Sequence, residues 1–220
     1  MIKIENVEIY GWEAAIRGMR NPKNSWDKSD SHFDDCHQCM NVKETECRIS
    51  NMEKCILIGE NDLKLAKMLA AAGSVHGKFL RMITVTMDIN APLYWWKEYD
   101  TYKVGTVADS CSTMHKIHSK KFTIDDFSTE HLTGKSVYLL EDLIKYLNAA
   151  REAFVVTKNK DYWWQLIQLL PTSYNQLRTV QLNYSVLANI YEYRKDHKLD
   201  EWRTFCDWIE TLPYSELITD

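Results

Sequence analysis

The sequence predicts an α/β fold with a few mainly antiparallel strands and long helices, and three observations carry that reading. Glycine and proline are scarce, 7 and 4 among 220 residues, which leaves long stretches without helix breakers. Apolar and polar residues alternate over Ile2–Tyr10, Ile83–Ile89 and Arg178–Leu182, the period of a strand whose side chains point to opposite faces in turn. Apolar residues three and four apart mark helices, the longest over Val137–Thr157, with Leu140, Leu143, Ile144 and Leu147 on one face. Glu141, Asp142, Lys145, Arg151 and Glu152 read as its solvated side.

Taken in order, a strand over Ile2–Tyr10 leads into a short helix over Trp12–Met19, and Asn21–Ser31 reads as loop. Asn61–Gly73 reads as a helix, with Asn61 as cap and Gly73 as stop. After the strand at Ile83, Ala91-Pro92 opens a helix carrying LYWWKEYDTYK, since proline is harmless in a first turn. Thr123–Ser128 and Thr133–Lys135 are polar connections, Asp161–Leu170 an apolar helix whose Trp163, Leu166, Ile167 and Leu170 belong to the core, and Leu199–Leu212 a last helix. No internal repeat or low-complexity segment divides the chain. The expectation is one domain over residues 1–220 with a polar, cysteine-rich insert over about residues 31–56.

Composition narrows the function. Hydrophobic residues at 45% and charged residues at 26% fit a globular chain with a sizeable core. The formal net charge of −4 argues against bulk nucleic-acid or membrane-surface binding. No apolar run approaches the ~20 residues that span a bilayer, and the start MIKIENVEIY lacks a signal peptide's apolar core. The expected location is the cytoplasm, where the six cysteines stay reduced. Within the insert, Cys36 and Cys39 have a chelating spacing, and Cys47 and Cys55 could close a tetrahedral zinc site. Free thiols in a polar insert are the plainer reading, because the second pair lacks a chelating spacing. Cys111 between two serines has no evident base, and His115 and His118 read as loop histidines. Trp95-Trp96 and Trp163-Trp164 could stack on bases, which the acidic charge weighs against. Walker A, GxGxxG, GxSxG and HExxH motifs are absent.

The stretch from Leu170 to Trp202 holds the most specific pattern. It begins with Leu170-Pro171 and turns helical at Asn183, whose side chain suits an N-cap. Leu187, Ile190 and Tyr191 take helical spacing. Arg194 returns to within about 20° of the face of Asn183, roughly 16 Å along the axis. An amide and a guanidinium on one stripe, with Asn189 beside them, could line a polar ligand; a surface helix with ordinary polar residues is the plainer reading.

Leu170-Pro171, Asn183, Leu187, Asn189 and Arg194 keep the order and spacing found near the C-terminus of flavin-dependent thymidylate synthases, the ThyX family, which the chain therefore resembles as a divergent relative. The family's GHxxPFEH-like segment corresponds to the stretch with His76, Phe79 and Arg81, followed by a strand ending in Ala91-Pro92. Its flavin signature RHRxxS becomes Thr101-Tyr102-Lys103-Val104-Gly105-Thr106, in which only Lys103 and Thr106 keep their chemical type. Its SxRY-like element survives as Ser110–His115 without the arginine, and Ile167 stands where the family has another arginine.

The resemblance implies a ThyX-like fold, a homotetramer, FAD, methylenetetrahydrofolate and NADPH, and one-carbon transfer to C5 of a uracil nucleotide such as dUMP. It implies Arg194 at the pyrimidine as the catalytic residue. Asn183, Asn189, His76, Lys103 and Thr106 are implied at the flavin, with Tyr102 a candidate to stack on it where the family has histidine. Arg178, Ser112 and Arg81 are implied at the nucleotide; with Lys97 and His115, the two arginines could replace the missing ones. A Lys cannot reproduce an arginine fork on a phosphate. A hydroxymethyl product is a related outcome, and a non-catalytic nucleotide- or flavin-binding relative, acting as sensor or assembly subunit, is the alternative.

Overall fold

The structure, a computed structural model, describes residues 2–35 and 54–220. Its strands are β1 (Lys3–Tyr10), β2 (His32–Asp35), β3 (Lys54–Leu57), β4 (Thr84–Pro92), β5 (Val107–Ser110) and β6 (Asn175–Asn183). Its helices are α1 (Trp12–Arg20), α2 (Glu60–Ala71), α3 (Leu93–Tyr99), α4 (Lys135–Thr157), α5 (Lys160–Leu169), α6 (Tyr184–Arg194), α7 (Asp200–Glu210) and α8 (Glu216–Thr219). One sheet has the strand order β1-β4-β6-β5, and β2 pairs antiparallel with β3 in a second. The expected mixed architecture, with antiparallel strands and long helices, is what the chain forms. The short strand β5 had no signal in the alternation.

Contacts group into two compact units: residues 1–4, 88–101 and 108–179, and residues 5–87, 102–107 and 180–220. The first holds a core of Ile117, Phe122, Phe127, Leu140, Ile144, Leu147 and Leu166, against which Leu143, Ile167, Leu170 and Tyr174 pack. α4 supplies three of these buried residues through its i, i+3, i+4 apolar stripe. Buried Asn148 interrupts that stripe, and its side chain both donates to and accepts from the backbone of Phe122, at 2.9 Å each way. Both of its polar ends are thereby satisfied, as burial requires. Trp95 and Trp96 are fully buried in this unit rather than exposed for base stacking.

The second unit is organised around α6. Leu187 and Ile190 are fully buried, and α6 contacts α7, α8 and the 3-10 turn Gly77–Met82. Tyr184 anchors its first turn: the backbone N–H donates to Ile83 O at 3.0 Å and the phenol to Pro213 O at 2.6 Å. Trp12 packs edge-on against Tyr184 and Tyr214.

The start of α2 differs from the expected asparagine cap. The helix begins at Glu60, and Asp30 supplies the missing acceptors from the preceding loop, taking Asn61 N at 2.9 Å and Asp62 N at 3.1 Å. A Cβ on the N-cap residue, Gly59, would stand 2.4 Å from Asp30 O, so the two backbone segments approach this closely only because no side chain intervenes.

Candidate functional site in α6 and the 102–107 segment

Asn183 caps α6 as its sequence position predicts, its Oδ1 accepting from Val186 N at 3.1 Å. The 102–107 segment touches both ends of this helix. At the N-terminal end, Gly105 has φ +83°, and a Cβ there would lie 3.1 Å from Val186 Cγ2 and 3.6 Å from Asn183 Nδ2. At the C-terminal end, Arg194 Nε donates to Tyr102 Oη at 2.8 Å. The Arg194 guanidinium also lies 4.7 Å from the Trp202 ring centroid on α7 and 5.5 Å from that of Tyr102. These two rings meet edge-on at 5.9 Å. A guanidinium stacked on aromatic faces keeps its charge while losing rotational freedom.

Thr106 Oγ1 donates to Tyr102 O at 3.0 Å and its N–H to Lys103 O at 3.3 Å, which closes the segment into a turn with the Lys103 side chain exposed. Asn189 is exposed on α6. His197 Nδ1 accepts from Leu199 N at 3.2 Å, and its ring packs edge-on against Trp202. Burial pushes the Cys206 thiol up to about 12, with Asp207 and Glu210 adding to the rise and Arg194 opposing it. The Tyr191 phenol donates to Glu210 Oε1 at 2.6 Å, and that bond is the main reason its pKa rises to about 12.

His76 and Arg81 are in the same unit, exposed at the two ends of the 3-10 turn Gly77–Met82. Arg178 and Ser112 are in the other. Arg178 is fixed there from three sides: Nε donates to Gln176 Oε1 at 3.0 Å, Nη1 to Asp100 Oδ1 at 2.8 Å, and the guanidinium lies 4.3 Å over Trp96. Gln176 is held in turn by its Nε2 donating to Cys111 O at 2.7 Å. Burial raises the pKa of neighbouring Tyr99; the Arg178 charge opposes that rise and Asp100 adds to it. Ser112 Oγ accepts from His115 N at 2.9 Å. Cys36, Cys39 and Cys47 lie outside the described residues; Cys55 falls in β3, and its side chain is not described.

Two partners were missed from sequence. The resemblance offered Tyr102 to a flavin ring, yet its phenol engages Arg194, 92 positions away. Trp202 read as part of an apolar helix and not as a guanidinium platform. Only the excess of aromatic residues hinted at either.

No protein-family model matches the chain, and no curated protein matches it. Solved structures do. ThyX from Helicobacter pylori, complexed with FAD and dUMP, superposes with a TM-score of 0.65 at 14% identity, covering 97% of this chain and 98% of that one. A second structure of that enzyme with FAD and dUMP gives 0.66 at 13% identity, covering 100% and 97%. A UMP/dUMP methylase, PolB from Streptomyces cacaoi, bound with 5-Br dUMP, gives 0.62 at 12% identity, covering 100% and 95%. The chain has the fold of flavin-dependent thymidylate synthases along essentially its whole length.

Proposed function

We propose that the chain is a divergent ThyX-like enzyme that binds FAD and modifies C5 of a uracil nucleotide such as dUMP. One observation carries the reading most. The segment that stands where the family has its flavin signature packs along α6, against Asn183 at one end and Arg194 at the other. The likeness to structures with FAD and dUMP supports the same ligands. The residues suit a flavin dinucleotide in kind: exposed Lys103 for phosphate oxygens, held in a turn by Thr106, whose hydroxyl would have to leave Tyr102 O to donate to a phosphate, and exposed Asn189 for a polar edge. Bound flavin would supply the redox chemistry. NADPH as reductant, methylenetetrahydrofolate as carbon donor and a homotetramer complete the reading by resemblance, with methylation or hydroxymethylation as the outcome.

Arg194 is the residue we assign to the pyrimidine. Adding carbon at C5 builds negative charge on the ring and its carbonyl oxygens, which a fixed cation stabilises. Arg178, Ser112 and Arg81 are assigned to the nucleotide, and Asn183 and His76 to the cofactor. The second reading is a non-catalytic nucleotide- or flavin-binding protein, and the aromatic seat of Arg194 favours it: a guanidinium bonded to Tyr102 and stacked on Trp202 can serve as a clamp between loop and helix.

Titration with FAD separates the outcomes first, through a bound-flavin absorbance band near ~450 nm. A chain that binds no flavin loses the enzymatic reading. In a flavin-binding chain, Arg194→Ala is expected to keep flavin content and lower dUMP-dependent oxidation of reduced flavin by ~10²–10³. Arg194→Lys is expected to rescue little, because a point charge lacks the planar fork. Full turnover with a lowered Tm in Arg194→Ala makes Arg194 a clamp.

A further inference from the structure

A cleft of about 470 Å³ opens in the second unit, lined by Arg20, Lys23, Ser25, Lys28, Asn61 and Leu65. It shares no residue with the site on α6. Among the described residues that line it, three of six are cationic and none is acidic. Arg20 forms a nearly buried part of it, with 4% of its side chain exposed.

The Arg20 guanidinium is only partly matched. Its Nε donates to Asp62 Oδ1 at 2.6 Å and its Nη1 to the Ser25 carbonyl at 3.1 Å. Its second terminal nitrogen makes no hydrogen bond among the described residues. The pair with Asp62 is therefore one-pronged, where an arginine facing a carboxylate in isolation would present its fork. Asp62 has no need of the second prong. Its Oδ2 already accepts from Ser29 Oγ at 2.7 Å, Ser31 Oγ at 2.7 Å, Asp30 N at 3.1 Å and Ser31 N at 3.1 Å. A cation largely removed from water, with both N–H groups of one terminal nitrogen left over and two lysines at the same cleft, is the arrangement that recognises a phosphate group. Carboxylates do stand nearby: Asp30 occupies the first turn of α2, while Asp27 and Glu60 are exposed. None of the three lines the cleft, and the occupied first turn leaves the side chains as the source of attraction.

We propose that this cleft binds a phosphate group, with Arg20 as the fixed donor, Lys23 and Lys28 as the mobile cations, and Ser25 and Asn61 as neutral polar partners. The phosphate can come from the free ion or from a phosphomonoester. The test is a titration of the whole chain with inorganic phosphate, followed by 1H–15N correlation spectra at constant ionic strength, with chloride as control. Saturable shifts at the Arg20 Nε–H and at the Ser25 and Asn61 amides are expected with phosphate alone. Lys23→Gln with Lys28→Gln, both at exposed positions, is expected to weaken binding ~10-fold or more with Tm unchanged. Repeating the titration with uridine monophosphate identifies the source: tighter binding at the same resonances marks a phosphomonoester, equal or weaker binding marks the free ion. A non-saturating response, the same shifts with chloride, or undiminished binding by the double variant overturns the proposal.

Discussion

Two arginine–aspartate pairs in this chain have the same chemistry and opposite surroundings. Arg20 and Asp62 have 4% and 0% of their side chains exposed, whereas Arg178 and Asp100 have 15% and 56%. The first pair ties the 25–31 loop to α2 through five donors on one carboxylate. The second rests on the face of Trp96, with its aspartate half in water. A buried pair holds structure because each partner would be stranded without the other. A half-exposed pair adds little to stability, and its guanidinium can exchange a solvated carboxylate for a ligand. The two pairs therefore differ in what each guanidinium can release: Arg20 keeps its bond to Asp62 and has only its remaining N–H groups to offer a ligand, whereas Arg178 faces a carboxylate that water can take over.

The sharpest way to break the comparison is Asp62→Ala, which leaves Arg20 buried beside four donors that have lost their acceptor. A loss of ~3–5 kcal/mol is expected, roughly 10 °C or more in Tm, measured by thermal or urea unfolding. If stability is retained, Arg20 has found water and the pair is not structural. Arg178→Ala is expected to cost at most ~2 kcal/mol, from a half-exposed ion pair and a ring contact. Calorimetry of the same variant is expected to show dUMP binding weakened ~10-fold or more. A large loss of stability with unchanged nucleotide affinity would reverse the roles of the two pairs.

The smallest effect is in the acid limb of stability. Burial alone would raise the Asp62 carboxyl, but bonds from Ser31, Ser29, Arg20 and the Asp30 backbone outweigh it and hold its pKa below the ordinary 3.8. Because the folded value is the lower one, the stabilisation is complete above about pH 4 and is lost as pH falls through the depressed folded value. Urea unfolding of the native chain is expected to steepen in that range. Asp62→Ala is expected to lack that component.

Local signals served the helices and strands well. The apolar stripe of α4, the alternation of β4 and the asparagine cap of α6 all follow from neighbours a few residues apart. The cap of α2 was misassigned to Asn61 for the same reason: the true acceptor is Asp30, and the 31 positions that separate Asp30 from Asn61 hide it from any local pattern. Arg20 with Asp62 and Tyr102 with Arg194 are 42 and 92 positions apart, and both pairs depend on the fold to exist. The residues retained from the ThyX pattern were legible as a list. That the 102–107 segment packs along α6 was not, since it depends on a glycine at φ +83° and a tyrosine reaching across to another helix.

The borrowed cap has a kinetic meaning. A helix that carries its own cap can start alone, whereas α2 receives its first acceptors only after Asp30 has docked past Gly59. The Asn61 and Asp62 amides therefore exchange with solvent at the rate at which the 25–31 loop lifts away, not at the rate at which a helix end frays. In hydrogen-exchange data these two amides should share one opening rate with the Asp30 and Ser31 amides bound to Asp62. One cooperative unit would then span a loop and a helix that the chain order keeps apart.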